Sequence, residues 1–327
     1  MLARKLQIKL EDVPVGTTPM LVPSLSSRAT SNIKKAAETI GSIISGPVLI
    51  SAYDEFYAKI LPIISPSCSL LFIDSGGYEC SVGYESSEHN LYNLDLREWN
   101  EKLHLETVKC LGKKPPKVII SYDHPVLKIP IEEQIERANS LFKETNGYLR
   151  EFLIKSETKN EFICIERVLE NITKLKKFDI IGLIEKELGP NVLERMIAIA
   201  KIRSEMDHHG ISKPLHIFGS LDTITTPPYY FSGGDIFDGL SWTRYIFHQG
   251  RTLYRDSFGP SNKGIISNAS NIMVSCYYEN YNYMRELEMI LEQFESTKGE
   301  DFKIFDENEK FFKKSYLMLA EKMKGAL

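Results

Sequence analysis

The chain has 327 residues, 43% of them hydrophobic and 26% charged, which supplies a large core and excludes a disordered chain. A net charge of -4 excludes a global basic field, so any nucleic-acid contact must come from a local patch. Five scattered cysteines without Cys-x-x-Cys spacing point to reduced thiols in a cytoplasmic protein, and no apolar run is long enough to span a membrane.

Leu6, Ile8 and Leu10 alternate with polar residues, so residues 1–18 read as an N-terminal hairpin or lead-in. Met20-Leu21-Val22 is a first buried strand, and a helix follows over 29–44. The next strand is Pro47–Ser51, with a short helix over 53–63, and the third is Leu70–Asp74, ahead of Ser75-Gly76-Gly77. A helix over 95–110 leads to a fourth strand, Lys117–Asp123, cut off by Pro125. The amphipathic spacing over 130–155 predicts one long helix, and the apolar run Phe162–Glu166 predicts the fifth strand. A helix over 167–176 and a sixth strand, Phe178–Gly182, come next. Then a strong helix over 190–209 stops at Gly210, where His208 and His209 read as a helix end and not as a metal pair. Leu215–Gly219 is the seventh strand and Gly234–Asp238 the eighth.

Eight short apolar strands alternating with helices predict a parallel sheet, and eight is the number that closes into a (β/α)8 TIM barrel. A doubly wound open sheet needs a glycine-rich loop after its first strand, and none is present. The barrel is expected over residues 1–296. Residues 241–276, poor in periodicity and rich in Arg, Ser, Asn, Tyr and Gly, form an insertion in it. Residues 297–327 are a C-terminal helical extension, suited to closing the barrel bottom or to an interface.

Barrels of this class carry their reactive groups at the C-terminal ends of the strands. Those ends here are Asp74, Asp123, Glu166, Gly182, Gly219 and Asp238. Like charges gathered in one pocket cost stability, which points to a function. Two carboxylates flanking an anomeric carbon are the equipment for cleaving a glycosidic bond.

The segment Asp74-Ser75-Gly76-Gly77-Tyr78 resembles the Asp-Ser-Gly-Gly-aromatic motif of the tRNA-guanine transglycosylase superfamily. Asp235-Ile236-Phe237-Asp238 followed by Thr243-Arg244 is similar to that family's nucleophile segment, and the spacing from Gly219 to Asp238 also matches. Tyr122-Asp123 and Gly182-Leu183 resemble its base-pocket segments. The resemblance covers roughly residues 15–295 through short, widely spaced motifs. It implies that Asp238 attacks C1′ of a guanosine to form a covalent intermediate, and that Asp74 deprotonates the incoming base. It implies that Asp123 reads the N1 and amine edge of guanine, with Ser75, Gly182 and Gly219 completing the pocket and Tyr78 and Phe218 clamping the purine. Glu166 would stand for the family's glutamine, where an ionised carboxylate could not donate to a guanine carbonyl.

The family's zinc site after the nucleophile is not matched, because residues 245–285 hold one cysteine, Cys276, and one histidine, His248. No metal and no cofactor are therefore expected. Arg244, Arg251, Arg255 and Lys263 face a single acid, Asp256, and make the best candidate phosphate-binding patch. The implied partners are a nucleic acid and a free 7-deazaguanine base. The lost zinc site favours DNA over tRNA, and a homodimer is left open. Two other readings stand beside this one: a non-catalytic partner subunit, and an unrelated barrel glycosidase acting on a nucleoside.

Overall fold

The computed structural model describes residues 2–30, 32–80, 97–124 and 126–324. Pro125, the first two residues of the helix expected from 95, and the last three residues of the C-terminal extension lie outside the described residues.

A two-stranded antiparallel hairpin, β1 (Gln7–Leu10) and β2 (Val13–Thr17), precedes the barrel. The barrel strands are β3 (Met20–Leu25), β4 (Pro47–Ser51), β5 (Leu70–Asp74), β6 (Lys117–Ile120), β7 (Leu149–Ile154), β8 (Ile180–Ile184), β9 (Leu215–Phe218) and β10 (Ile236–Gly239). They close in the order β3 to β10, with β10 pairing parallel to β3 through Ile236 opposite Met20 and Asp238 opposite Val22. This is the (β/α)8 barrel expected from the alternating pattern.

The strands are nearly continuous apolar runs because both faces are covered. Met20, Val22, Phe72, Val118, Ile120, Leu149, Ile180 and Ile236 fill the inside of the barrel, while Leu21, Ile50, Leu71, Ile119, Phe152 and Ile181 pack outward on the helices. Ile8 of β1 is buried against the inner set, so the N-terminal hairpin stoppers the end from which the strands start. That leaves the C-terminal end as the mouth.

The helices obey local rules. The helix Val192–His208 starts at Asn191, whose side chain accepts from the Glu194 N–H at 3.0 Å, and stops before Gly210, which has a φ of +64°. The helix Ala269–Ser296 starts at Asn268 in the same way and lays its apolar stripe, including Tyr281, Met284, Leu287 and Leu291, on the barrel wall. The expected single helix over 301–324 is a 3-10 segment, Phe302–Asn308, followed by the helix Glu309–Lys322. Phe231, Phe294, Phe302, Phe305 and Phe312 form one aromatic cluster that binds this extension to the barrel helices.

One stretch of the sequence reading is overturned. Residues 130–155 are not one helix. The helix runs Ile131–Lys143 and the fifth barrel strand is Leu149–Ile154. The run Phe162–Glu166 is not a strand, because residues 161–164 are irregular and a helix occupies Ile165–Glu170. The break lies at Asn146-Gly147, where Gly147 takes a φ of +80° that a helix cannot continue through.

Candidate active site

Asp238 ends β10 and is 6% exposed. Its Oδ2 accepts from Ser24 Oγ at 2.7 Å, and its Oδ1 accepts from the Gly219 N–H at 2.9 Å. Gly219 can present that N–H because it holds a φ of +77° at the turn after β9. Ser24 is fixed in turn, since its carbonyl accepts from Trp242 Nε1 at 2.9 Å. The segment that follows the nucleophile candidate thus clamps the strand beside it.

Asp123 lies just past β6. It accepts from Ser75 Oγ and has Lys155 Nζ 3.4 Å from its Oδ2. Lys155 also reaches Glu187 at 3.0 Å. Asp74 ends β5 at the rim of the same mouth. Burial, then the charge of Asp123, push its carboxyl up to about 7. Asp238 adds to this, while the Ser75 backbone and Lys155 pull the other way. Asp74, Asp123 and Asp238 are therefore electrostatically joined at one end of the barrel.

Beneath Asp238 lies a buried pair that sequence reasoning missed. Glu151 of β7 and His216 of β9 are both wholly buried, with Glu151 Oε1 2.7 Å from His216 Nδ1. His216 Nε2 lies 3.3 Å from Asp238 Oδ1, at ion-pair distance but without hydrogen-bond alignment. Burial alone would lower the histidine pKa, but Glu151 and Asp238 outweigh it and raise it to about 9. Burial pushes Glu151 up, against the pull of His216.

The remaining expected residues divide. Gly182 is inside the barrel, where a Cβ would lie 2.7 Å from Phe218 Cε2 and 3.1 Å from Glu151 Oε1. Phe218 is 9% exposed and stacks on His216, with centroids 3.9 Å apart and planes at 26°. Tyr78 is exposed, with the Arg28 guanidinium 5.9 Å from its ring. Glu166 is misplaced: it sits on the outer helix Ile165–Glu170, largely in solvent, 4.0 Å from Lys201. The end of the fifth strand is followed instead by Lys155. Asp235, the first acid of the nucleophile segment, belongs to the opposite end of β10. Its buried carboxylate takes Arg203 and the Leu215 N–H and serves the fold.

The basic segment is more neutralised than its composition suggests. It forms a hairpin, β11 (Tyr245–His248) and β12 (Arg251–Tyr254), and a helix, Arg255–Lys263. Arg251 pairs with Glu307 at 3.2 Å, Arg255 with Asp256 at 3.1 Å and Lys263 with Glu279 at 2.5 Å. Arg244 has its Nε buried without a hydrogen bond among the described residues. Asn280 ties the hairpin down, donating to the Trp242 and Tyr245 carbonyls at 2.7 Å each. Cys276 is buried against Ile246 and Ile272, and His248 packs on Phe258.

Comparison of the chain with models of protein families finds no match, and comparison with curated proteins finds none either.

Proposed function

We propose that this chain is a transglycosylase that exchanges guanine in a nucleic acid for a 7-deazaguanine base through a covalent aspartyl intermediate. The observation that carries the reading is the meeting of Asp74, Asp123 and Asp238 at one barrel mouth. Asp238 attacks C1′ of a guanosine unit. The C1′–N9 bond breaks, and its electron pair leaves with guanine, which takes the proton held by Asp74. The incoming base returns a ring N–H proton to Asp74, and its nitrogen displaces the aspartyl oxygen from C1′. A carboxyl brought near 7 suits both transfers.

Recognition follows the same chemistry. Asp123 offers acceptors to the donor edge of guanine, and Lys155 beside it offers donors to the carbonyl edge, the role for which Glu166 was unsuited. A base inside a polynucleotide must be flipped out to reach this mouth. DNA is the favoured substrate, with tRNA the alternative, because the family's zinc ligands are not matched in the sequence. The decisive test incubates the protein with guanine-containing DNA, tRNA and free guanosine and seeks a covalent adduct by mass spectrometry. An adduct with a polynucleotide that disappears in Asp238→Asn supports the reading, and unchanged base exchange by a folded Asp238→Asn protein overturns it.

One observation favours a second reading, a barrel glycosidase acting on a free nucleoside. Arg251, Arg255 and Lys263 each already face an acid, so the segment expected to hold phosphates has less charge to offer. An adduct formed with guanosine but with neither DNA nor tRNA selects it. No helix among the described residues is long and apolar enough to cross a membrane.

A further inference from the structure

The inside of a parallel eight-stranded barrel is normally packed with branched apolar side chains. Here the middle of the barrel holds an acid and an imidazole, Glu151 and His216, among Val22, Phe72 and Leu153. An acid–base pair in such a place costs several kcal/mol per ion in desolvation, and only good geometry and further partners offset it. The pair has such a partner on one side only. His216 Nδ1 is taken by Glu151 at 2.7 Å, and its Nε2 lies at ion-pair distance from Asp238 Oδ1, 3.3 Å, without hydrogen-bond alignment. Phe72 from β5 meets the ring edge-on at 5.5 Å, Phe218 stacks on it at 3.9 Å, and Gly182 pairs with it across β8. Among the described residues, the titratable groups that face the ring are Glu151 from β7 and Asp238 from β10, and the charge of Asp238 is felt in turn by Asp74 from β5.

We propose that His216, held by Glu151, is the positioning residue of Asp238: its ring fixes the carboxylate at the base of the mouth and keeps it charged. This rests on the reading of Asp238 as nucleophile. Glu151 and His216 together carry no net charge when ionised, so the trio holds a single negative charge, on Asp238. Without the imidazolium, the carboxylates of Glu151 and Asp238 would stand uncompensated in one enclosed space, which disfavours ionising both. The carboxylate held this way is also a better departing group when the second base attacks C1′, because the ring stabilises the charge that returns to Asp238. The ring reaches no substrate atom by this arrangement and acts through Asp238 alone.

Two measurements test it. In 15N-histidine NMR of the whole chain, one ring should keep both nitrogens protonated through pH 8. That signal should vanish in His216→Gln and shift in both Glu151→Gln and Asp238→Asn. A spectrum in which no ring stays protonated at pH 8, or in which that signal ignores Asp238→Asn, overturns the proposal whatever the enzyme does. In single-turnover adduct formation with guanine-containing DNA or tRNA, whichever forms the adduct, the acid limb of His216→Gln should move up by about one pH unit or more, with KM little changed. An unmoved acid limb in a variant whose circular dichroism is native overturns it. If His216→Gln does not fold, Glu151→Gln carries the kinetic arm with the same expected direction and a smaller displacement. The failure of the parent reading looks different: Asp238→Asn would then exchange bases like the unaltered protein, while the NMR arm still judges the geometry.

Discussion

A side chain at Gly77 has no room beside Asp123: a Cβ built there would lie 2.7 Å from Oδ1 and 2.9 Å from Oδ2. The Gly77 N–H also donates to Ser75 Oγ, which in turn donates to Asp123. The second glycine of Ser75-Gly76-Gly77 thus lets the Asp123 carboxylate come close. Gly77→Ala should push Asp123 aside and break a charged hydrogen bond worth about 1.5–3 kcal/mol, weakening base binding by roughly 10- to 100-fold. Calorimetric titration with guanine checks this. Wild-type affinity in the alanine variant would mean that Asp123 does not read the base.

Asp74 should destabilise the protein above its own pKa. Burial and Asp123 raise its carboxyl to about 7, from the ordinary aspartate value of 3.8. Between roughly pH 4 and 7 the unfolded chain has released this proton while the folded chain keeps it, so stability falls with rising pH at up to about 1.4 kcal/mol per pH unit. Above 7 both states are ionised and the contribution is flat. Asp74→Asn removes the effect, so the variant should gain stability relative to the parent as pH rises from 4 to 8, while losing base exchange. Urea melts at pH 4.5 and 8 measure it; an equal difference at both pH values would show that Asp74 titrates normally.

Phe218 packs in the barrel and, under the proposed function, also clamps the base; one substitution can separate the two. Its ring packs on His216 and fills the space left by Gly182. Phe218→Ala should therefore cost about 3–5 kcal/mol as a core truncation, besides a loss of about tenfold in base binding. Phe218→Leu should restore most of the stability without restoring the flat stacking surface. If the leucine variant binds base as tightly as the parent, Phe218 is packing alone and the clamp with Tyr78 does not exist.

Most strands were legible because each is a short apolar run between turn residues; β4 and β5 fall where Pro47–Ser51 and Leu70–Asp74 were expected. β7 was not, since Leu149-Arg150-Glu151-Phe152-Leu153-Ile154 carries two charges and continues a helical spacing. Arg150 points outward, to Asp179 at 3.1 Å, and Glu151 points inside, where it meets His216, 65 positions away. Local pattern cannot reveal a partner at that distance. The signal available was Asn146-Gly147, a turn pair inside a supposed helix. Missing it displaced the fifth strand to Phe162–Glu166, put Glu166 in the site, and hid Glu151 and Lys155. The strand-end places of Asp74, Asp123 and Asp238 were legible because an acid at the end of an apolar run needs no distant partner to be noticed.

The segment after Asp238 gives the last prediction. Arg255 is a poor probe of phosphate binding, because its guanidinium donates to the Thr243 carbonyl at 2.7 Å and holds the helix Arg255–Lys263 to the segment after β10. Arg251 is better: it is exposed and, among the described residues, its side chain pairs with the exposed Glu307, at 3.2 Å. Surface pairs of this kind contribute about 0–1 kcal/mol, so a phosphate can displace the acid at little cost. If this face holds a polynucleotide, Arg251→Ala should weaken binding to all sequences alike and flatten the dependence of log K on log salt by about one unit. Glu307→Gln should act in the opposite direction, freeing Arg251 and tightening binding, most visibly at low salt. Filter-binding titrations across salt concentrations read both. Two variants with parental affinity and slope would place the polynucleotide elsewhere, and the lysines from Lys310 to Lys324 in the C-terminal extension would be the next to replace.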